Sequence, residues 1–219
     1  MIDFYGWNTS NGRKIAILLE ELGVEFNYRP VDIGAGEQFS DEFKKLNPNA
    51  KIPVIVDHQG PDGQAITVFE SGAIMVYLAE KVASPLFPSD AVQRSEVMQW
   101  LMFQMGGVGP MFGQALHFYK YSDEKHPYSI DRYMGELHRL IGVMDQHLSQ
   151  NTFFAGDYSI ADIAIYPWIA RHEWYDLDWS KYPNLQRWFD QVSERPAVQK
   201  ALQWISAGIA SGRQKRVAQ

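Results

Sequence analysis

The first 83 residues alternate between patterns typical of strands and patterns typical of helices. Apolar residues recur at helical spacing through Ile15, Leu18 and Leu22, and this predicted helix stops at Gly23. Two later β-prone runs flank the turn residues 60–63, as the strands of a hairpin do. The resulting order, β-α-β-α-β-β-α, indicates a compact α/β layer. Its other predicted elements are strands at 2–5, 26–31, 53–56 and 65–69, and helices at 41–46 and 71–82.

The pattern changes after residue 83. The segment 84–90 contains two prolines and is typical of a linker. Beyond it, strand patterns largely disappear and helical periodicity continues almost to the end of the chain. We therefore predict an α/β domain at 1–83, a linker at 84–90 and an all-helical domain at 91–219. The helical patterns cover 91–119, 127–149, 160–171, 184–193 and 196–209.

Composition and charge exclude several classes of protein. With 46% hydrophobic and 21% charged residues, the chain is typical of a soluble globular protein. Its 26 acidic residues exceed its 20 basic ones, which argues against non-specific nucleic-acid binding. No apolar run approaches the roughly 20 residues that span a bilayer, and the start Met-Ile-Asp-Phe-Tyr lacks an apolar leader. We expect a cytoplasmic protein without membrane or nucleic-acid partners.

The chain contains no cysteine. Disulfides, thiolate metal sites and cysteine nucleophiles are therefore excluded. The six histidines show no spacing typical of metal ligands, so we expect no metal. Any sulfur chemistry must use a sulfur atom that the protein binds.

Two short motifs suit a peptide-like ligand. Ile52-Pro53 precedes a predicted strand, where a proline is most often only an edge or turn residue. Glu70-Ser71 opens a predicted helix, where serine is a common N-cap. The functional interpretation is that the backbone beside Pro53 pairs with a peptide, while the helix start receives a carboxylate. The residues alone leave both interpretations open.

These motifs, together with the linker and Ser159-Ile160-Ala161-Asp162, resemble the glutathione transferase superfamily over essentially the whole chain. The resemblance implies an α/β thioredoxin-like N-terminal domain followed by an all-α helical C-terminal domain. The segments 9–12, 36–39, 56–58 and 105–111 are most similar to the bacterial nu class. That class implies a glutathione-dependent disulfide-bond oxidoreductase.

The resemblance also implies where glutathione binds. A cis bond before Pro53 would leave the backbone of Ile52 to pair with the cysteinyl unit, and Glu70 with Ser71 would hold the γ-glutamyl end. Gln38 and Lys51 fall beside the glycyl carboxylate. The implied glutathione-binding residues are Asn11, Gln38, Lys51, Ile52, Pro53, Glu70, Ser71 and Arg132.

Thr9 and Asn11 match the positions that contact sulfur in the nu pattern. A free thiol has a pKa of about 8.5, so hydroxyl and amide donors beside a helix N-terminus would favour the reactive thiolate. From the residues alone, the segment serves equally as a turn and N-cap. Ser10 is a rival for the sulfur contact and Tyr5 ranks third. Asn8 and Ser10 depart from the pattern, in which proline is more usual.

We expect a homodimeric enzyme in which bound glutathione reduces small-molecule disulfides, with peroxidase activity as a further expectation. One alternative is a transferase that joins glutathione to electrophiles and uses Phe118, Tyr119 and Trp174 as walls of an apolar pocket. Another is a glutathione-binding regulator without turnover, because a fold does not by itself define a function.

Overall fold

The computed structural model describes residues 1–217, and the side chains of residues 1–207. The chain divides into two compact units, which are described separately. The first unit comprises residues 1–84 and the C-terminal segment from Arg195, and the second comprises residues 85–194. The last helix thus belongs to the first unit, whereas the sequence pattern places it with the helical domain.

A four-stranded sheet forms the centre of the first unit, in the order β2-β1-β3-β4. β1 and β2 are parallel, and β3 is antiparallel to both β1 and β4. The predicted hairpin is confirmed, since Val54 of β3 pairs with Phe69 of β4. The strands are β1 (Ile2–Gly6), β2 (Phe26–Pro30), β3 (Val54–Asp57) and β4 (Ile66–Phe69).

The α-helices follow the predicted order with small changes at their ends. Among the described residues they are α1 (Ser10–Leu22), α2 (Asp41–Leu46), α3 (Ser71–Lys81), α4 (Ala91–Phe103), α5 (Gly109–Leu116), α6 (Pro127–Leu148), α7 (Ile160–Ile169), α8 (Pro183–Ser193) and α9 (Pro196–Val217). None of the helices in the described part of the chain is both long and apolar enough to span a bilayer.

Helix α1 is the central helix of the first unit and packs against α3 and α9. Its apolar residues Ile15, Leu18 and Leu19 are fully buried, as the helical spacing predicts. The helix ends at Gly23, whose φ of 61° lies in the left-handed region that favours glycine.

Helix α9 is fixed to α1 by polar contacts as well as by packing. The Arg195 guanidinium donates to the Glu21 carboxylate at 2.6 Å, and the Trp204 indole N–H donates to Glu20 at 2.8 Å. The Trp204 ring also lies against Phe26 and Tyr28, with ring centroids 5.1 Å apart in each pair. Aromatic contacts of this kind bury large apolar areas, so α9 completes the core on one side of the sheet.

In the second unit, the predicted helix at 91–119 is a longer stretch that contains two π-helical segments. Gln104–Val108 separates α4 from α5, and His117–Tyr121 extends the stretch to residue 121. The glycine-rich residues 106–109 therefore lie inside a helix rather than in a phosphate-binding loop. A Cβ atom at Gly109 would approach the Gln104 side-chain nitrogen to 2.7 Å, so a larger residue there would displace the end of the Gln104 side chain.

Candidate functional site

Three segments of interest converge on one edge of the sheet. Tyr5 near the end of β1 pairs with Val54 at the start of β3, and Val54 pairs with Phe69 at the end of β4. The chain leaving β1 enters residues 7–11, the chain entering β3 comes from Ile52-Pro53, and the chain leaving β4 enters Glu70-Ser71. The strand register therefore gathers these candidates, which are distant in sequence, at a single edge.

Thr9 is the N-cap of α1. Its hydroxyl oxygen accepts the backbone N–H of Gly12 at 3.1 Å, so the N-cap interpretation is confirmed. A capping hydroxyl uses a lone pair and keeps its own proton, which remains able to point elsewhere. Capping and donation to a ligand sulfur are therefore compatible at this residue.

The turn before α1 depends on the glycine at position 12. A Cβ atom there would lie 2.0 Å from the Trp7 carbonyl oxygen. Trp7 itself is buried, and its carbonyl accepts the Thr9 N–H at 2.7 Å. The close backbone approach allowed by Gly12 holds Thr9 at the start of the helix.

The residues around Thr9 differ in what they can offer a ligand. Asn8 is engaged, because its side chain accepts from Arg13 at 2.7 Å and donates to Ser206 at 3.2 Å. Ser10 is only 5% exposed. Asn11 is half-buried, and its amide has no hydrogen-bond partner among the side chains and backbone described. Of these residues, Asn11 presents the most available donor.

Tyr5 contributes to the interior of the first unit. Its ring meets Phe43 edge-on with ring centroids 6.5 Å apart, and it packs on the cluster of Val31, Phe43 and Val54. Such contacts are typical of a core aromatic residue.

The Ile52–Pro53 peptide bond is cis, as expected. Within the described residues, neither the N–H nor the carbonyl of Ile52 forms a hydrogen bond. The preceding carbonyl, of Lys51, accepts from the amide of the buried Asn47 at 2.8 Å. Asn47 therefore supports this segment, a role that the sequence analysis missed, and Ile52 keeps an unpaired backbone edge.

The start of α3 differs from the prediction that Ser71 caps it. Glu70 is the N-cap, with φ 70° and ψ 118°, and it forms no capping side-chain bond. This positive φ, which side-chain-bearing residues adopt only under strain, turns the chain directly from β4 into the helix. Ser71 is consequently the first helical residue. Its hydroxyl is buried and accepts from the Lys14 ammonium at 3.2 Å.

Lys14 is a residue that the sequence analysis overlooked. It lies on α1 and is fully buried. Burial lowers its pKa from 10.5 to about 7, and the Glu70 carboxylate acts in the opposite direction. The available signal was a lysine four residues before Leu18, on the face that the apolar spacing predicts to be buried.

Gln38 and Lys51 remain open to a ligand. Gln38 lies in the 3₁₀ turn Glu37–Phe39, and its side-chain nitrogen donates to the Ile33 carbonyl at 3.4 Å. Its side-chain oxygen is buried and has no partner among the described atoms. Lys51 is exposed, and its ammonium forms no ion pair within the described residues.

Arg132 belongs to α6 of the second unit. It borders a cavity of about 470 Å³ that is also lined by Met111, Tyr133, Glu136 and Arg139. Glu136 forms two hydrogen bonds with Arg139, at 2.7 and 2.8 Å.

Phe118, Tyr119 and Trp174, the expected walls of an apolar pocket, lie in the second unit and each contacts another residue of that unit. Phe118 stacks on Tyr133 with ring centroids 5.4 Å apart, and the Tyr119 hydroxyl donates to Asp176 at 2.6 Å. Trp174 lies under the Arg171 guanidinium, 4.1 Å from its ring centroid. Each of these three side chains is therefore held by a contact within the second unit.

The described residues contain no group of three His, Cys, Asp or Glu side chains that could hold a metal ion. The chemistry available at the sheet edge is instead that of hydrogen-bond donors, an unpaired backbone segment and the start of a helix. This combination suits an extended peptide that carries carboxylates.

Family comparison defines the class of protein. Residues 2–80 match the model of the glutathione S-transferase N-terminal domain, and residues 108–196 match that of the C-terminal domain. The chain therefore belongs to the glutathione S-transferase family. The predicted family and fold class, a thioredoxin-like domain followed by a helical domain, are confirmed.

Individual members of the family are similar to this chain over most of its length. Disulfide-bond oxidoreductase YfcG of Escherichia coli is 43% identical over 205 residues, which cover 92% of this chain and 94% of that protein. A glutathione transferase from Pseudomonas putida, crystallised with one glutathione disulfide per subunit, is 43% identical with a TM-score of 0.88 and coverage of 92% and 90%. A family member from Pseudomonas fluorescens with two glutathione bound is 40% identical, with a TM-score of 0.88 and 92% coverage of both chains.

Proposed function

We propose that this protein is a glutathione-dependent disulfide reductase in which bound glutathione supplies the nucleophile. The observation that carries the proposal is the sheet edge, where the unpaired Ile52 backbone, the available Asn11 amide and the uncapped start of α3 are gathered. The name of the relative YfcG and the glutathione disulfide in the Pseudomonas putida structure support it. We further propose nu-class membership, a homodimer and a cytoplasmic location.

The peptide would lie along the unpaired backbone. Ile52 offers one N–H and one carbonyl beside the cis bond to Pro53, which suits strand-like pairing with the cysteinyl unit. The γ-glutamyl carboxylate would meet the N-terminus of α3 at Ser71, with the ammonium beside Glu70. At the other end, Gln38 and Lys51 would receive the glycyl carboxylate. We propose Arg132 as a further glutathione contact.

The sulfur of the bound peptide would then meet the start of α1. There the Thr9 hydroxyl proton and the Asn11 amide are available as donors, and the helix N-terminus is electropositive. Such donors favour the thiolate over the thiol. A decrease in the thiol pKa of about 1.5 units corresponds to about 2 kcal/mol. Because the chain has no cysteine, this thiolate is the nucleophile available for exchange.

The proposed reaction has two balanced steps. In the first, a bond forms between the glutathione sulfur and one substrate sulfur, the substrate disulfide breaks, and the departing thiolate takes up a proton. In the second, the thiolate of another glutathione attacks the mixed disulfide at the glutathione sulfur. This step releases the second substrate thiol and leaves glutathione disulfide. Two glutathione molecules in the Pseudomonas fluorescens structure support this stoichiometry.

The direct test is the glutathione-dependent reduction of hydroxyethyl disulfide. We expect turnover by the wild-type protein and a decrease of about tenfold or more in kcat/KM for Asn11→Ala, because the variant loses a donor to the thiolate. The matched control is Gln64→Ala, which removes an exposed amide in the turn at the opposite edge of the sheet. Absence of activity in the wild type, or equal activity in wild type and Asn11→Ala, would refute the proposal.

Conjugation to electrophiles is the competing function, and the aromatic side chains of Phe118, Tyr119 and Trp174 in the second unit are the reason for testing it. An aryl halide assayed on the same preparation separates the two activities. Faster conjugation than disulfide reduction would make transfer the main reaction. Glutathione binding without either activity would indicate the regulator.

A further inference from the structure

Tyr28 of β2 is bonded to the end of β1. Its hydroxyl donates to the Gly6 carbonyl oxygen at 3.2 Å. Gly6 is the last residue of β1, and the turn that leads to Thr9 and α1 follows it. The reaction proposed above does not involve Tyr28. Its hydroxyl nevertheless restrains the peptide group that precedes the segment of the proposed sulfur donors.

The Gly6 carbonyl oxygen accepts two hydrogen bonds. The backbone N–H of Val31 donates to it at 3.0 Å, and the Tyr28 hydroxyl is the second donor. A carbonyl oxygen has two lone pairs, so both bonds can form at once. Two donors restrain the orientation of this peptide group more than one does. Loss of the Tyr28 hydroxyl would leave the oxygen with a single hydrogen bond.

Backbone contacts connect the Gly6 peptide group to the start of α1. Trp7, the next residue, is buried, and its carbonyl accepts the Thr9 N–H at 2.7 Å. The Thr9 hydroxyl in turn accepts the Gly12 N–H and caps the helix. Because only two residues separate Gly6 from Thr9, a rotation of the Gly6 peptide group would displace the cap and, with it, Asn11.

Aromatic contacts hold the Tyr28 ring in place. Its centroid lies 5.5 Å from that of the fully buried Phe4 and 5.1 Å from that of Trp204 on α9. Trp204 is fixed as well, because its indole N–H donates to Glu20 of α1 at 2.8 Å. Closely packed rings have little freedom to move. Helix α9 therefore restrains the ring that carries the hydroxyl.

We propose that Tyr28 is a positioning residue for the sulfur donors Thr9 and Asn11, and that α9 supports Tyr28 through Trp204. This inference rests on the proposed function, since it assumes that the glutathione sulfur lies at the start of α1. Donors stabilise a thiolate only when they are held in the correct geometry. The amount of thiolate should therefore depend on a hydroxyl that is directed at the backbone and not at the ligand.

The main test is Tyr28→Phe, which removes the hydroxyl and keeps a ring against Trp204. The measurement is the fraction of bound glutathione present as thiolate, followed by ultraviolet absorbance at saturating glutathione. At a pH about one unit below the thiol pKa of the wild-type complex, we expect this fraction to fall about threefold. The kcat/KM for hydroxyethyl disulfide should fall by a similar factor at the same pH.

The Kd of S-methylglutathione separates positioning from general damage to the first unit. The sulfur of this ligand is blocked and forms no thiolate. Its peptide would be held at Ile52 and Ser71, which adjoin β3 and β4, and β1 separates these strands from β2. We expect the Kd in Tyr28→Phe to stay within about twofold of the wild-type value. A loss of affinity as large as the loss of thiolate would overturn the inference.

The matched control is Tyr77→Phe. Tyr77 is half-buried like Tyr28, and its hydroxyl donates to the buried Asp57 at 2.7 Å. Asp57 pairs with Ile2, at the end of the sheet opposite the candidate site. This variant also loses a hydrogen-bonded tyrosine hydroxyl from the first unit, but its thiolate fraction should be unchanged. An equal fall in both variants would overturn the inference.

Trp204→Leu tests the contribution of α9. It removes the ring that packs on Tyr28, and we expect the thiolate fraction to fall about twofold. In the Tyr28→Phe background the same substitution should have little further effect, because both residues act through one hydroxyl. The control is Lys200→Met, which removes the exposed partner of Glu20 on α9 and should leave the thiolate unchanged. Independent, full effects of Trp204→Leu and Tyr28→Phe would overturn the role of α9.

The wild-type measurement distinguishes failure of this inference from failure of the proposed function. A bound thiol with a pKa no lower than the value of about 8.5 for a free thiol would overturn the proposed function and the inference with it. A lowered thiol pKa that is the same in wild type and Tyr28→Phe would overturn the inference alone.

Discussion

Two helices of this protein begin with a serine and a nearby acidic residue, yet the two starts are built in opposite ways. At α7, Ser159 is the N-cap and forms a reciprocal capping box with Asp162. The Asp162 carboxylate accepts the Ser159 N–H at 3.0 Å, the Phe154 N–H at 3.2 Å and the Trp188 indole N–H at 2.9 Å. The side-chain groups at this helix start are thus satisfied within the protein.

At α3, the acidic residue precedes the serine, and it is the acidic residue that occupies the N-cap position. Glu70 is exposed, forms no capping bond and has a φ of 70°. The Ser71 hydroxyl oxygen accepts from the Lys14 ammonium. The first N–H groups of any helix lack intrahelical partners, and here the capping side chain that satisfies them elsewhere is missing.

The comparison separates helix starts that stabilise the fold from those that serve a ligand. A helix start with capping side-chain bonds, as at α7, contributes about 1 kcal/mol or more to the free energy of unfolding. A residue with a strained backbone, such as Glu70 at the start of α3, costs about 1–3 kcal/mol. An uncapped and strained start therefore persists only where the rest of the fold tolerates the cost. We expect substitutions at α7 to change stability, and those at α3 to change binding.

The largest effect is expected for Asp162→Ala. Asp162 is fully buried, and its burial raises the carboxyl pKa to about 6 against the opposing effect of its hydrogen bonds. The substitution leaves several buried donors without an acceptor, so we expect the free energy of unfolding to fall by about 3 kcal/mol or more. Urea unfolding followed by fluorescence measures this loss.

The control for Asp162 is Asp178→Ala. Asp178 also accepts the N–H of a residue at a helix start, Ser180, but half of its side chain is exposed. Water replaces the lost acceptor there, so the loss of stability should be much smaller. If the two variants lost similar amounts of unfolding free energy, burial of the capping carboxylate would not determine how much it stabilises the protein.

The next largest effects are expected for alanine substitutions of the two serines, Ser159 at α7 and Ser71 at α3. Ser159→Ala should lower the free energy of unfolding by about 1–2 kcal/mol, because Ala161 loses its capping acceptor. Its affinity for S-methylglutathione should be unchanged. Ser71→Ala should raise the Kd about five- to tenfold. It should also lower the free energy of unfolding by about 1 kcal/mol, because the buried Lys14 ammonium loses an acceptor. If each variant affected both properties to the same degree, the distinction between the two starts would fail.

The sequence predicts the capped start of α7 better than the start of α3, because a capping box is formed by residues close together in the sequence. Ser159 and Asp162 lie three residues apart, and the capping-box pattern can be recognised without any tertiary contact. The β3–β4 hairpin is predictable for the same reason, since Gly60-Pro61-Asp62-Gly63 separates its strands. Family resemblance supplied the cis bond before Pro53 and the residues at the sheet edge.

The features that were missed depend on contacts between distant residues. Lys14 is buried because α3 and α9 cover α1. Its spacing from Leu18 places it on the buried face, but the spacing does not show which distant groups surround its ammonium. The φ of Glu70 arises because β4 must turn at once into α3, without the glycine or asparagine that marks such torsions. Amphipathic spacing predicted helix α9 but not the unit that it joins, because periodicity defines a buried face and not its partner.

The smallest and most specific effect is expected for Glu70→Gly. Glycine adopts a positive φ without a Cβ penalty, so the variant should gain up to about 1 kcal/mol in the free energy of unfolding. It should also bind S-methylglutathione more weakly, because the carboxylate proposed to face the ligand ammonium is lost. Ala83→Gly is the control, since Ala83 is exposed and has a φ of 49° at the end of α3. That variant should be stabilised with unchanged affinity. A stabilised Glu70→Gly with full affinity would mean that the strained start of α3 does not serve the ligand.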